Sequence, residues 1–350
     1  MTSTHHHELE VACTAVQLCA ILTRQLQEAT LSPESSVAKA DFSPVTVGDF
    51  AVQALLTAAL HGVPDFRDDL FLAEESAGEL RQNGPLLNKV WELIVQMKPA
   101  FEDGQVPLCT PSDDSEAMDM IDLGGKNERS DGPRTWVFDP IDGTATFLRG
   151  QQYTINCAFL RDGQEEIGII GCPNLSIKSS SVHEDEIDSA GLGLMVYAVR
   201  GKGTWVRSMQ CSSVLLPATQ INRHGDTATL DQLIASKLNL TWPGVDIYSS
   251  ILKYAALGLG RCSICIRVFK YASWRSNMWD HAGGILIFEE AGGKVTDLNG
   301  KAIDFSKGRK MADNYGLVCA PSSVHADVLK LIQEVLSGYG PIPWERSKAV

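Results

Sequence analysis

Positive charge is scarce in this sequence. Its 350 residues hold 30 Lys and Arg against 43 Asp and Glu, a formal net charge of −13. A protein that binds polymeric nucleic acid needs a basic stripe to neutralise phosphates, so that class is excluded. No apolar run of bilayer-spanning length stands out, and no basic-then-apolar leader opens the chain. Neither a membrane protein nor a secreted one is expected. The nine cysteines are odd in number and irregularly spaced, which fits reduced thiols in the cytoplasm better than a disulfide framework. Cys262-Ser-Ile-Cys265 has C-x-x-C spacing, but it lacks a second cysteine pair or nearby histidines, so no zinc or redox role is read from it. The run His5-His6-His7 lies at a terminus, where side chains are commonly unconstrained. There is no internal repeat, no sign of an obligate protein partner, and no Cys, Ser or His in a nucleophile motif.

What is present is ordinary globular material, 44% hydrophobic and 21% charged. The length suits one large domain or two intimately packed halves, with a soft division near residue 180. Helical spacing of Val11, Ala15, Leu18, Leu22 and Leu26 predicts a helix over 8–27. Residues 31–45 read as a loop. Further helices are expected from near Asp49, over 82–98, 251–258, 280–291 and 322–336. Strands are expected at 135–138, 153–160, 167–171, 194–200, 204–206, 263–269 and 293–297, and around Val318, with a hairpin turn at Arg161-Asp-Gly163. The polar stretch 102–133 reads as a surface excursion. This mixture predicts a layered α/β fold.

The strongest chemical signal is Trp136-Val-Phe-Asp139-Pro-Ile-Asp142-Gly-Thr144. A strand ends at Asp139, Pro140 fixes φ and removes a donor, and Gly143 permits close backbone approach. The spacing aims two carboxylates and the Ile141 carbonyl at one point, a hard-oxygen donor set that suits Mg²⁺. A helix beginning at Gly143 would turn its free amides to the same point, where phosphate is favoured. On its own, such a segment can be a loop whose acids merely cap backbone amides. Three further acidic signals are weak singly. Glu74-Glu75 follows Asp69-Leu-Phe-Leu72 and can be solvated, and Asp280 in Trp279-Asp-His-Ala-Gly-Gly284 can be a helix cap. Asp49 in Val45-Thr-Val-Gly-Asp49 has the same alternative.

In order, type and spacing, the series Asp49, Glu74-Glu75, Asp139-x-Ile-Asp142-Gly-Thr144, Trp279-Asp280 resembles the lithium-sensitive, Mg²⁺-dependent phosphatases of the inositol-monophosphatase superfamily. Within that superfamily, several stretches resemble the bisphosphate nucleotidases of fungal type. They are the first helix from Glu8, Ser43-Pro-Val-Thr-Val-Gly-Asp-Phe-Ala-Val-Gln53, Ile169-Ile-Gly-Cys-Pro-Asn174, Ala198-Val-Arg-Gly-Lys-Gly203 and Asp304-Phe-Ser-Lys-Gly308. The similarity extends over about residues 8–335.

The resemblance implies alternating αβαβα layers. Residues 1–180 would carry most of the metal ligands, and residues 181–350 the nucleotide contacts and the last metal-binding Asp. It implies Glu74, Asp139, Asp142, Asp280 and the Ile141 carbonyl as ligands for two or three Mg²⁺ ions. Asp49 and Thr144 would activate the attacking water. Gly143, Thr144, Ser250, Lys253, Arg267 and Asp280 would meet the substrate, though Lys253 and Arg267 read alone are equally solvated surface charges. The implied reaction removes the 3′-phosphate of adenosine 3′,5′-bisphosphate, giving AMP and phosphate, with the related sulfated nucleotide as a second substrate.

The chain also departs from that pattern. Ser276-Asn277 stands where the family carries Glu-Lys, Ala73 where it carries Gly, and only His224 offers itself as the adenosine-side histidine. Two other readings stay open. One is a phosphatase for another small phosphorylated metabolite; the other is a paralogue that binds without turnover.

Overall fold

The computed structural model describes residues 5–31, 44–210, 219–221, 245–268 and 273–338. His224 and most of the 31–45 loop lie outside the described residues. The chain builds five layers.

The first layer pairs α1 (His6–Leu31) with α2 (Pro44–His61). α1 is longer than its apolar period suggests, and it is buried on nearly all sides from Val11 to Leu22. It is the one helix among the described residues long and apolar enough to cross a bilayer, contrary to the expectation that none would be. However, 78% of its most apolar window is packed inside the protein. α2 starts at Pro44, so Asp49 lies within the helix and does not open it.

The second layer is a seven-stranded sheet in sequential order: β1 (Leu70–Ala73), β2 (Thr135–Asp142), β3 (Thr154–Arg161), β4 (Gln164–Cys172), β5 (Leu194–Val199), β6 (Thr204–Ser208) and β7 (Thr219–Ile221). Only the β1–β2 pair is parallel; every other pair is antiparallel. A parallel pair needs a long crossover. Here it contains α3 (Gly84–Glu102) and α4 (Asp114–Gly125), so the 102–133 segment holds a helix where a surface excursion was expected. The Asp113 side chain caps α4 by accepting from Glu116 N–H at 2.8 Å, a local signal sitting in an otherwise polar run. The β3–β4 hairpin turns where expected, through Asp162 and Gly163 at φ 51° and 78°.

The period of two along each strand sends alternate side chains to opposite layers. Trp136, Phe138, Ile155, Cys157 and Phe159 pack with α1 and α2. Val137, Ala158, Leu160 and Ile170 pack with α6 (Ser250–Gly258) and α7 (Gly284–Glu290). Beyond these helices lies a three-stranded antiparallel sheet in the order β8 (Cys265–Arg267), β10 (Leu317–Pro321), β9 (Gly293–Thr296). α8 (His325–Gly338) covers its outer face through Val328 and Ile332. The αβαβα layering expected from the resemblance is therefore present. Residue 180 falls between β4 and β5, which pair from Ile167–Val199 to Cys172–Leu194 within one sheet.

Candidate active site

Strand register assembles the site. Ala73 pairs with Phe138 in the parallel β1–β2 ladder, so Glu74, the first residue past β1, follows on beside Asp139 of β2. Across β2, Asp139 pairs with Asn156 and Asp142 with Thr154, so the register slips between them. That slip is a β-bulge at Pro140-Ile141. Pro140 has no N–H to lose, and the extra residue bends the strand and turns Asp139 and Asp142 toward one point. Ile141 anchors the bulge in a buried cluster with Leu26, Phe147 and Tyr153. Gly143 has φ +99°, and a Cβ there would come within 2.8 Å of Thr146 Oγ1. A four-residue helix, α5 (Thr144–Phe147), follows. Its ladder begins with Thr146 and Phe147 N–H donating to the Gly143 carbonyl, so the Thr144 and Ala145 amides stay outside it.

The third acid comes from the far side of the sheet. Asp280 lies in a turn, not at the start of the expected helix, because α7 begins only at Gly284. Two buried polar side chains pin that turn. Asn156 Nδ2 donates to the carbonyls of Trp279 (2.8 Å) and Ala282 (2.9 Å). Glu165 Oε1 accepts from Gly283 N–H at 2.5 Å. Gly168 lets the turn pass, since a Cβ there would overlap the Gly283 carbonyl. As a result, carboxylate oxygens of Asp139, Asp142 and Asp280 lie within 4.8 Å of one another.

Glu74 and Asp49 fall outside that triplet; Glu74 feels the charges of Asp280 and Asp142, and Asp49 adds its own to Asp139. Gln53, one turn after Asp49 on α2, clamps the Glu74-Glu75 segment. Its Nε2 donates to Glu75 O at 2.7 Å and its Oε1 accepts from Glu75 N–H at 2.9 Å. Partial burial, then Glu75, Asp280 and Asp142, push the Glu74 carboxyl up to about 7. Burial and the Asp142 charge push Asp280 up to about 6, against the opposing pull of Arg267 and Lys310. Burial, with Glu74, Asp142, Asp280 and Asp49 around it, raises Asp139 well above the usual carboxylate range. Asp49 is raised likewise by burial, then by Glu75 and Glu74. Removal from water and mutual repulsion both disfavour the charged forms. Among the described residues, Asp139 Oδ1 is buried with no hydrogen-bond partner.

Each expected site residue can now be placed. Asp142 Oδ2 accepts from the Ser249 hydroxyl and from Ile251 N–H at 2.7 Å, which ties α6 to the bulge. Ser250 opens α6 and accepts from Arg267 Nη1 at 2.9 Å, so two members of the S-x-x-K…R pattern meet. Lys253, one turn further on, is half-buried, and its charge reaches His281 and Cys265. Thr144 is exposed at the start of α5, and among the described residues no hydrogen bond joins it to Asp49.

Ser249, Asn156, Glu165 and Gln53 went unread in the sequence. A polar residue in the otherwise apolar strand over 153–160 was the signal for Asn156. A second serine beside Ser250 was the signal for Ser249. At Ser276-Asn277, the Asn277 side chain helps to hold the Asp280 carboxyl down, and the Lys310 ammonium donates to Asn277 Oδ1.

An acid cluster at the ends of a parallel strand pair, closed from across the sheet by Trp279-Asp280, defines the class. The chain belongs to the inositol monophosphatase family, whose sequence model it matches over residues 7–337. More narrowly, it is similar to a 3′(2′),5′-bisphosphate nucleotidase of Emericella nidulans, 35% identical over 95% of this chain and 99% of that one. It is 33% identical to 3′,5′-bisphosphate nucleotidase 2 of Arabidopsis thaliana, over 94% of this chain and 97% of that one. An IMPase from Thermotoga maritima shares the fold, with a TM-score of 0.56 over 95% of this chain and 100% of that one at 19% identity.

Proposed function

We propose that this chain is a Mg²⁺-dependent phosphomonoesterase that removes the 3′-phosphate of adenosine 3′,5′-bisphosphate to give AMP and phosphate. The sulfated nucleotide would be its second substrate, lithium its inhibitor and the cytoplasm its compartment. The observation that carries the reading is the meeting of Asp139, Asp142 and Asp280 within 4.8 Å, two acids of β2 joined by a third from a distant turn of the chain. Its likeness to nucleotidases of two kingdoms along almost the whole chain supports the substrate.

The residues fit a hard divalent cation. Asp139 presents a buried carboxylate oxygen with no donor, and its neighbours are carboxylates that repel it. That is costly without a cation and favourable with one. Glu74, Asp139, Asp142, Asp280 and the Ile141 carbonyl would hold two or three ions. When bound, Mg²⁺ supplies Lewis-acid stabilisation of charge on the phosphoryl oxygens and activation of water.

The chain's own groups do the rest. Asp49 is buried beside Glu75 and Glu74, which raises its affinity for a proton above that of an ordinary carboxyl, as suits a group that takes one from water. Thr144 would help to orient that water. The Gly143–Thr144 amides at the start of α5 face the phosphoryl group. Ser250, Lys253 and Arg267 would take the remaining charge of the nucleotide. Line-up and charge stabilisation, rather than a covalent intermediate, would supply the rate.

Released phosphate, measured across a panel of phosphorylated nucleotides, inositol phosphates and sugar phosphates, tests the proposal. The highest kcat/KM is expected on adenosine 3′,5′-bisphosphate, with none in EDTA. The Ser276-Asn277 departure beside Asp280 favours one second reading, another small phosphorylated metabolite. A clear preference for an inositol or sugar phosphate would establish it.

A further inference from the structure

We infer that Arg309 is a positioning residue that sets the separation between the Glu74 and Asp280 arms of the acid cluster. This rests on the metal reading of that cluster. Arg309 joins three separate segments. Its Nη2 donates to the carbonyls of Ala73 (2.7 Å) and Glu74 (3.4 Å), where β1 hands the chain to the first acids. Its Nη1 donates to Gly124 (3.1 Å) and Asn127 (3.2 Å), carbonyls at and just past the end of α4 that the helix ladder leaves open. The face of the same guanidinium lies 4.5 Å from the centroid of the Trp279 ring, the residue before Asp280.

The Arg309 backbone acts on the same arm. Its carbonyl accepts from Met278 N–H at 2.9 Å, and Met311 N–H donates to Ser276 at 3.0 Å. Asn277 and Lys310 bridge between these two bonds. One residue thus holds the Asp280 arm by its main chain and ring stack, and the Glu74 arm by its fork. Only a planar five-donor group spans this arrangement. A lysine offers one charged point and cannot reach both carbonyl pairs while also sitting over the indole. Outer groups that orient metal ligands typically change metal affinity about 10- to 100-fold when removed.

The test measures metal binding without turnover, using Mn²⁺ as the probe and the loss of its free-ion EPR signal as the readout. Wild type, Arg309→Ala and Arg309→Lys are titrated as full-length chains, with far-UV circular dichroism and metal-free melting recorded alongside. Both variants are expected to bind Mn²⁺ about tenfold or more weakly than wild type, with the lysine failing to rescue. If the alanine variant does not fold, the lysine variant decides. A folded variant that binds Mn²⁺ within threefold of wild type overturns the inference while leaving the metal reading intact. A wild-type chain that binds no Mn²⁺ removes both.

Discussion

Lys310 and Asn277 face each other across a two-stranded bridge at the mouth of the acid cluster, and the lysine ammonium bonds the asparagine side-chain oxygen. Both pull on Asp280, whose carboxyl the Lys310 charge and the Asn277 side chain hold down against its burial. A positive group therefore stands beside the last acid, although the lysine that the family resemblance places at 277 is absent. In this chain the cation of the bridge is Lys310. Lys310→Ala is expected to raise KM for the bisphosphate about three- to fivefold, the range of an exposed charge contact, with little effect on kcat. Restoring the cation as Asn277→Lys in that background should recover KM. No change in KM for Lys310→Ala would show that this charge is not felt by substrate.

Asp139→Asn separates chemistry from folding. Turnover should fall by about a thousandfold or more, because the most buried acid of the set is lost. The metal-free variant should nevertheless melt at or above the wild-type temperature, since Asn removes a charge disfavoured by burial and by four neighbouring acids. Scanning fluorimetry in EDTA, beside a phosphate-release assay, measures both. A marked drop in melting temperature would make Asp139 a structural acid instead.

Lys253→Ala should raise KM for the nucleotide about tenfold while leaving a generic phosphate ester nearly unaffected, because its charge would meet the part of the substrate that the ester lacks. Equal losses on both substrates would remove Lys253 from nucleotide recognition.

The metal-free protein should lose stability as pH rises. Partial burial and neighbouring acids hold the folded Glu74 carboxyl at about 7, and burial with the Asp142 charge holds Asp280 at about 6. In the unfolded chain such carboxyls titrate near about 4. Below that, both states are protonated and no penalty arises. Above it the unfolded state gives up its protons first, so unfolding gains ground until pH passes the folded values. Melting temperature in EDTA should therefore decline between about pH 4 and 7, and Mg²⁺ should flatten the decline. Identical pH curves with and without Mg²⁺ would contradict the assignment of these acids to a metal.

The sequence made the acids of the cluster legible because acids beside Pro and Gly are locally distinctive, as at Asp139-Pro-Ile-Asp142-Gly143. It made the layers legible because β2–β5 are short, nearly continuous apolar runs, as a sheet covered on both faces requires. The supports were harder to see. Asn156, Glu165 and Arg309 act through backbone groups more than 100 residues away, and no local pattern announces such a partner. α4 was hidden for a related reason: its buried face, Ala117, Met120, Ile121 and Gly124, is thin within a polar run. Asp280 was misplaced at a helix start because the turn that holds it is fixed from across the sheet, by Asn156 and Glu165.

The single sheet that runs on through β4 and β5 has a practical side. A cut in the exposed polar segment between them would divide the acids unequally, leaving Asp49, Glu74, Asp139 and Asp142 on one fragment and Asp280 on the other. Neither fragment alone would own a complete site, yet the open edges of β4 and β5 would be mutual templates. Co-expressed pieces split there should regain phosphate release only on reassembly, which makes this connection the natural place to build a two-part sensor.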